Sequence, residues 1–209
     1  MLNRIIKIIV KPDYAAEVQS ALIDMKAQTV QESGNKEMRL FVDKNQAHRF
    51  FVYERWQDET ALAEHLKQPY TGHIVSEMQE AISTYEAFEL ETVNPAPLYE
   101  KNPKKAHPQD DVFVSIFIFR IKPESRVQLL EQFATHIAHS RDEEGNLLFD
   151  IYTVKGDENT LCMYSAWRKE SDLWDVHFNK PYAVATGKLM HACAIGELEQ
   201  YMNYVTEFE

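Results

Sequence analysis

The chain has 209 residues, 44% of them hydrophobic and 26% charged, enough for one large domain or two small ones. Its 22 basic and 33 acidic residues give a formal net charge of −11, and the one basic run, Lys101 to Lys105, falls among prolines rather than on a helix face. Phosphate recognition rests on a basic surface, so this balance argues against nucleic acid and equally against an anionic membrane as partner.

No apolar run approaches the length of a membrane span, and Met1-Leu2-Asn3-Arg4-Ile5-Ile6 leads into an alternating strand without a signal-peptide pattern. Cys162 and Cys193 form neither a disulfide framework nor a metal pattern; both sit among apolar residues and read as small buried hydrophobes. These features point to the cytoplasm.

Residues 3–11 are rich in isoleucine and read as a strand that Lys11-Pro12 ends. Apolar residues then recur at Val18, Ala21, Leu22 and Met25, a helical spacing, with Asp13 as expected N-cap and Gly34 as the stop. Residues 38–43 and 48–56 read as a hairpin across the polar turn Lys44-Asn45-Gln46. Asp58 caps a short helix containing Leu62, His65 and Leu66, and Pro69 breaks it. A second helical stretch is expected through Ile74, Met78 and Ile82, and residues 84–92 close the set as a fourth strand. Residues 93–110, with Pro95, Pro97, Pro103 and Pro108, read as an extended connector, since proline removes donors and disfavours helix.

The same order then repeats. A strand is expected at 112–121, a helix through Val127, Leu130, Phe133 and Ile137 ending at Gly145, and strands at 147–154 and 160–167. Helices around 173–178 and 182–193 and a last strand near 197–205 complete it. Lys11-Pro12, Gly34-Asn35, Tyr53 and Trp56 return 111 positions later as Lys122-Pro123, Gly145-Asn146, Tyr164 and Trp167. After one inserted residue the offset is 112, and it aligns His65 with His177, Pro69-Tyr70 with Pro181-Tyr182, and Met78 with Met190. Each copy is therefore a whole domain, not a solenoid unit. The expected organisation is a first module at 1–93, a linker at 94–110 and a second module at 111–209.

The order βαββαβ is the ferredoxin-like arrangement, an α+β fold with one antiparallel four-stranded sheet and helices on one face. In the strand at 112–121 both alternating sets are apolar: Val112, Val114, Ile116 and Ile118 on one side, Phe113, Phe117, Phe119 and Ile121 on the other. A sheet covered on one face only is polar on the other, so this one is expected to be covered on both. The cheapest cover is the sheet of the other module, which makes the chain an intramolecular pseudo-dimer with a barrel-like core. A further homodimer is open.

The run Phe51-Val52-Tyr53-Glu54-Arg55-Trp56-Gln57-Asp58-Glu59-Thr60-Ala61-Leu62-Ala63-Glu64-His65 resembles the signature of the antibiotic biosynthesis monooxygenase family, as does Glu32-Ser33-Gly34-Asn35 upstream of it. The second module keeps Glu143-Glu144-Gly145-Asn146, Tyr164, Trp167 and His177, and departs at Ser165-Ala166, where the first has Glu54-Arg55. The resemblance implies paired α/β modules (a dimeric α/β-barrel), each with a pocket between sheet and helices. Several family members oxidise quinols or polyketide aromatics with molecular oxygen, without metal or flavin. Others degrade haem with an Asn, Trp and His set, which neither module holds in matching places.

His65 and His177 border the buried face of their helices and are the candidate acid/base residues, because an imidazole beside an apolar pocket exchanges protons near neutral pH. The alternative is a core-edge histidine bonded to a backbone carbonyl. Trp56 and Trp167 are candidate aromatic walls or corner anchors; Tyr53 and Tyr164 lie three residues earlier and face the opposite way. Tyr70 and Tyr182, after the prolines, are candidate hydroxyl donors to a pocket. Glu54 and Arg55 read as a solvated surface pair. His48, His73, His107, His136, His139 and His191 show no metal spacing common to both modules. The leading expectation is a cofactor-independent monooxygenase acting on a small aromatic with molecular oxygen, His65 foremost and His177 its counterpart. The alternatives are a non-catalytic small-molecule binding or stress-response protein, and an isomerase of a small hydroxy-ketone signal.

Overall fold

The computed structural model describes residues 1–72 and 78–209, and its contacts divide the chain into two compact units. Unit 1 comprises Met1–Leu90 together with Thr206–Glu209, and unit 2 comprises Glu91–Val205.

In unit 1, β1 (Leu2–Val10) lies between β4 (Ile82–Thr92) and β3 (Arg49–Trp56), and β3 pairs on its other edge with β2 (Asn35–Asp43), all antiparallel. The helices are α1 (Ala15–Thr29) and α2 (Glu59–His65). Ile6, Ile8 and Val10 of β1, Leu40 of β2 and Phe50 and Val52 of β3 pack against Val18 and Leu22 of α1. Each such side chain contributes about 1.5–3 kcal/mol on leaving water. The turn between β2 and β3 is held as the sequence suggests: the Asp43 carboxylate accepts from the backbone N–H of Asn45 at 2.8 Å and of Gln46 at 3.0 Å. Asp58 caps α2 by accepting from the Ala61 N–H at 2.9 Å.

In unit 2 the order is β8 (Met202–Phe208), β5 (Phe113–Arg120), β7 (Asp157–Trp167), β6 (Asn146–Val154), again antiparallel. Leu129, Phe133 and Ile137 of α3 (Arg126–Asp142) pack onto Phe113, Phe117 and Phe119 of β5, and Met190 and Cys193 of α4 (Pro181–Cys193) join them. Each unit is thus a ferredoxin-like βαββαβ sheet with its helices. Both alternating sets of β5 are buried through Phe117, Val114 and Ile116 included, as the two apolar faces require. Residues 206–209 at the end of β8 return to unit 1, where Glu207 takes two hydrogen bonds from Arg39, the Nε one at 2.9 Å. Cys162 and Cys193 are free and buried.

Several local expectations are corrected. Asp13 is not an N-cap: Pro12 starts a 3-10 turn, Pro12–Tyr14, and α1 begins at Ala15 with no side-chain cap. Gly34 and Gly145 do not terminate helices, since α1 ends at Thr29 and α3 at Asp142. Their role is close approach: a Cβ on Gly34 would lie 2.4 Å from Ala61 Cβ, and one on Gly145 would lie 2.4 Å from Asp172 Cγ. Their carbonyls accept from the N–H of Gln57 and of Arg168, both at 2.8 Å. Of the expected stretch Ile74–Met78–Ile82, Ile74 lies outside the described residues, as does His73; Met78 is in a turn and Ile82 already opens β4. The last strand is shifted, because Leu198–Tyr201 forms a 3-10 turn before β8 begins at Met202. Residues 173–178 wind first as a π-type turn, Asp172–Val176, then as a 3-10 turn, His177–Asn179.

The connector is fastened to unit 2 by side chains. Asn102 donates to the Leu147 carbonyl at 2.8 Å, Arg141 to the Ala96 carbonyl at 3.0 Å, and Arg168 pairs with Asp110 at 2.6 Å. Among the described residues no helix is long and apolar enough to cross a membrane.

Candidate functional site

The two histidines that the repeat aligns sit in the same frame. In unit 2, β7 ends at Trp167 and the chain turns past Gly145, so the following turns lay His177 against the Trp167 indole with ring centroids 4.5 Å apart. Glu143, the first residue beyond α3, brings its carboxylate to His177 Nδ1 at 2.6 Å. Tyr182, in the first turn of α4, donates its hydroxyl to the same carboxylate oxygen at 2.5 Å. A carboxylate can only accept, so His177 carries its proton on Nδ1. Burial alone would raise the Glu143 carboxyl, but the hydrogen bonds from His177 and Tyr182 outweigh it and hold the group below the usual carboxylate range. Burial, together with the Glu143 hydrogen bond, pushes the Tyr182 phenol upward, so it stays protonated and donating.

Unit 1 repeats this triad. His65 meets the Trp56 ring at 4.5 Å between centroids, its Nδ1 is 2.7 Å from Glu32 Oε1, and the Tyr70 hydroxyl donates to the same oxygen. Burial and that hydrogen bond raise Tyr70 to about 12.

Below the histidines the two units diverge. The register pairs Arg4 with Glu54 across β1 and β3, and Ser115 with Ser165 across β5 and β7. In unit 1 this pair is a buried salt bridge, Arg4 Nη1 to Glu54 Oε1 at 2.8 Å. Glu54 is 2% exposed, and burial raises its pKa against the opposing pull of Arg4 and His65. In unit 2 the pair is two hydroxyls 2.7 Å apart, and Ser165 also accepts from the Trp167 indole N–H at 3.1 Å. Glu54 and Arg55 are therefore not a solvated surface pair: Arg55 is 4% exposed and bonds Glu37 at 2.7 Å. Alternation along β3 puts Glu54 on the helix side with Trp56, where a charge can meet Arg4.

A cavity of about 320 Å³ opens in unit 2 between sheet and helices. Ser115, Phe117, Phe149, Met163 and Ser165 form its sheet side, and His136 and His177 form part of its wall. Exposed Lys188 and His191 stand at its rim. The volume is at the small end for ligand pockets, and the lining is apolar with a few convergent polar groups. Glu143, behind His177, also lines a wider polar groove of about 660 Å³ with Asp110, Arg168 and Lys180.

The structure thus brings together His177, Trp167 and Tyr182, and likewise His65, Trp56 and Tyr70. It does not bring Tyr53 or Tyr164 to them; both are buried on the opposite face of the sheet. Sequence reasoning passed over three participants. Glu32 and Glu143 were visible only as acidic residues before a repeated glycine. His136 was set aside for want of metal spacing, yet its Nε2 lies 3.1 Å from His177 Nε2. The readable signal was position: His136 continues the buried Leu129 and Phe133 face of α3. Among the described residues no group of three or more His, Cys, Asp or Glu is arranged to hold a metal ion.

Residues 1–77 and 112–188 each match the family model described as antibiotic biosynthesis monooxygenase. The protein named "Putative monooxygenase YcnE" of Bacillus subtilis (strain 168) is 38% identical over 52 residues, 25% of this chain and 55% of that one. The chain spans little more than half the length of the curated relatives it matches. A crystal structure described as "Putative monooxygenase" from Fusobacterium nucleatum covers 100% of this chain and 92% of its own, with a TM-score of 0.81 at 17% identity. That of an "anthrone oxidase-like protein" covers the same shares with a TM-score of 0.71 at 12% identity. At these identities the likeness is one of fold.

Proposed function

Because this chain belongs to the antibiotic biosynthesis monooxygenase family, we propose that unit 2 oxidises a small aromatic of the quinol type with molecular oxygen. The observation that carries this reading is the apolar cavity of about 320 Å³ set against an imidazole whose orientation is fixed by a carboxylate. Phe117, Phe149 and Met163 offer a ring its apolar contacts, and the histidines offer a place for its phenolic proton.

The reaction closes without another reductant. Loss of the phenolic proton to the histidine pair leaves an electron-rich phenolate. One electron passes to oxygen, and the resulting superoxide and phenoxyl radical join to form a carbon–oxygen bond. The O–O bond then breaks, one oxygen stays on the ring, and the other leaves as water with two hydrogens. A quinol and oxygen thereby become a hydroxyquinone and water. Glu143 stabilises the imidazolium that forms when His177 takes charge, and its opening to the polar groove gives the proton a way out.

The sequence puts His65 first, but in this proposal His177 leads, since the described cavity lies beside it. The test is oxygen uptake with a panel of benzo- and naphthoquinols. His177→Ala is expected to lower turnover by about a hundredfold or more, and His65→Ala by less. Wild-type uptake in His177→Ala, or no uptake above autoxidation with any quinol, would end this reading.

A further inference from the structure

Resting on the reading above, we propose that the cavity of unit 2 selects an aromatic bearing an anionic substituent such as a carboxylate, which Lys188 binds at the mouth while the ring enters. The argument starts from α4, Pro181–Cys193, which contains no Asp or Glu. The whole chain has 33 acidic residues against 22 basic ones, so this helix reverses the overall balance. The cavity reverses it too: no acid lines it, and its ionisable side chains are His136, His177, Lys188 and His191. Burial holds His136 neutral by carrying its pKa down to about 3. His191 Nε2 already has the Glu199 carboxylate at 3.9 Å, whereas among the described residues no carboxylate pairs with Lys188. The net charge of −11 repels an anion from the molecule as a whole, and Lys188 offers it a local attraction.

The mouth itself is a stripe of α4. Val184, Gly187, Lys188 and His191 follow at i, i+3, i+4 and i+7, and all four line the cavity. Beside them runs the buried stripe Ala183, Thr186, Met190 and Cys193, which holds the helix to the core. Val184, Lys188 and His191 are exposed and Gly187 is half-buried, so the first stripe borders both cavity and solvent. Gly187 stands in mid-helix, where glycine is the weakest former after proline. A Cβ there would meet nothing within 4 Å, so close packing does not demand the glycine. Its missing side chain leaves the stripe open between Val184 and the cation. Phe117, Phe149 and Met163 offer a ring apolar contacts inside. A ring that enters past Gly187 leaves its acidic group beside Lys188 and in water, where the charge is not buried. An ammonium on a flexible stem can follow that group without one fixed geometry. The 112-residue offset sets Val75, Ser76 and Gln79 against Gly187, Lys188 and His191, so the first module carries neither the glycine nor the cations.

Binding tests this first, by isothermal titration calorimetry on the full chain with 2-naphthoate and its neutral isostere 2-naphthamide. The acid is expected to bind about fivefold tighter at ~20 mM salt, and less than about twofold tighter at ~1 M, because exposed charges are screened. Lys188→Met is expected to bring the ratio of the two Kd values to about one, and Lys188→Glu to invert it. Gly187→Leu is expected to weaken both ligands alike, by about tenfold or more, without lowering the melting temperature. Equal wild-type affinities, a preference that survives in Lys188→Met, unaltered affinities in Gly187→Leu, or no binding of either ligand at ~1 mM would overturn the proposal. Oxygen uptake separates it from the monooxygenase reading. With 1,4-dihydroxy-2-naphthoate and its amide as substrates, the ratio of their kcat/KM values should fall about fivefold in Lys188→Met. Turnover with that ratio unmoved would overturn the preference and leave the monooxygenase standing. If the wild-type chain oxidises neither, that reading fails, and the calorimetric pair still decides the charge preference.

Discussion

Replacing His136 with methionine should make unit 2 less sensitive to acid. The ring stacks on Phe149 at 4.6 Å and packs beside Phe133 and Tyr182. Burial first, and the nearby His177 and His139 second, carry its pKa from the ordinary 6.5 to about 3. Below pH 6.5 the unfolded chain takes up this proton, while the folded one does not until about pH 3. The unfolded state therefore binds more protons in that window, and stability rises with pH across it. The contribution is complete above the unfolded value and is lost as the pH falls toward the folded one. At pH 4.5, two units into the window, the loss is about 2.7 kcal/mol. Methionine, the residue at the matching position 25, has no such proton. The check is urea unfolding followed by tryptophan fluorescence at about pH 7.5 and 4.5, where the stability gap between wild type and variant should shift by about 2–3 kcal/mol in favour of the variant at the lower pH. Glu143 also loses stabilisation, as the pH falls below its unfolded value and through its depressed folded one, but it does so in both proteins and largely cancels. A gap constant within about 0.5 kcal/mol at the two pH values would refute the reasoning.

Two further outcomes follow from the packing of unit 1. Arg4→Ala leaves Glu54 buried without its cation and should cost about 3–5 kcal/mol in chemical unfolding, whereas replacing both partners with Met and Leu should recover most of that loss. Gly34→Ala drives a Cβ to 2.4 Å from Ala61 Cβ and should lower stability by about 1–3 kcal/mol in thermal unfolding; adding Ala61→Gly should restore most of it.

The repeat and its strands were legible because β-branched runs and a fixed offset survive in the sequence whatever the packing. The apolar faces of β5 announced that both would be buried, and they are. The histidines were legible as positions, since the offset aligned them, but their partners were not. Glu143 reaches His177 across 34 residues, and His136 reaches it across 41, contacts that only the folded sheet creates. Glu54 was misread because its polarity suggested water; the register with Arg4 is what lets a charge sit at that depth. Gly34 was misread as a helix stop because a glycine after a helical run most often is one. Here the demand comes from Ala61 on the approaching α2 rather than from the backbone of Gly34 itself.

The two units therefore keep one frame and fill it differently. In both, the lysine of the repeated Lys-Pro pair donates its backbone N–H at 2.9 Å, Lys11 to the carbonyl of Ala81, just before β4, and Lys122 to that of Cys193, at the end of α4. In both, a hydroxyl on the first helix bonds the carbonyl four residues back at 2.8 Å, Thr29 to Met25 and Ser140 to His136. The carbonyl position is thus equivalent, and only the side chain it carries changes. What differs is the floor and the wall beneath the repeated histidine: an ion pair and a methionine in one unit, two hydroxyls and an imidazole in the other. An ion pair at that depth keeps its partners locked to each other, because either charge alone is costly to bury. Two hydroxyls satisfy one another at little cost and leave apolar neighbours free to meet a ring. The frame sets where the histidine stands, and the three exchanged side chains set the charge and polarity of what lies beside it.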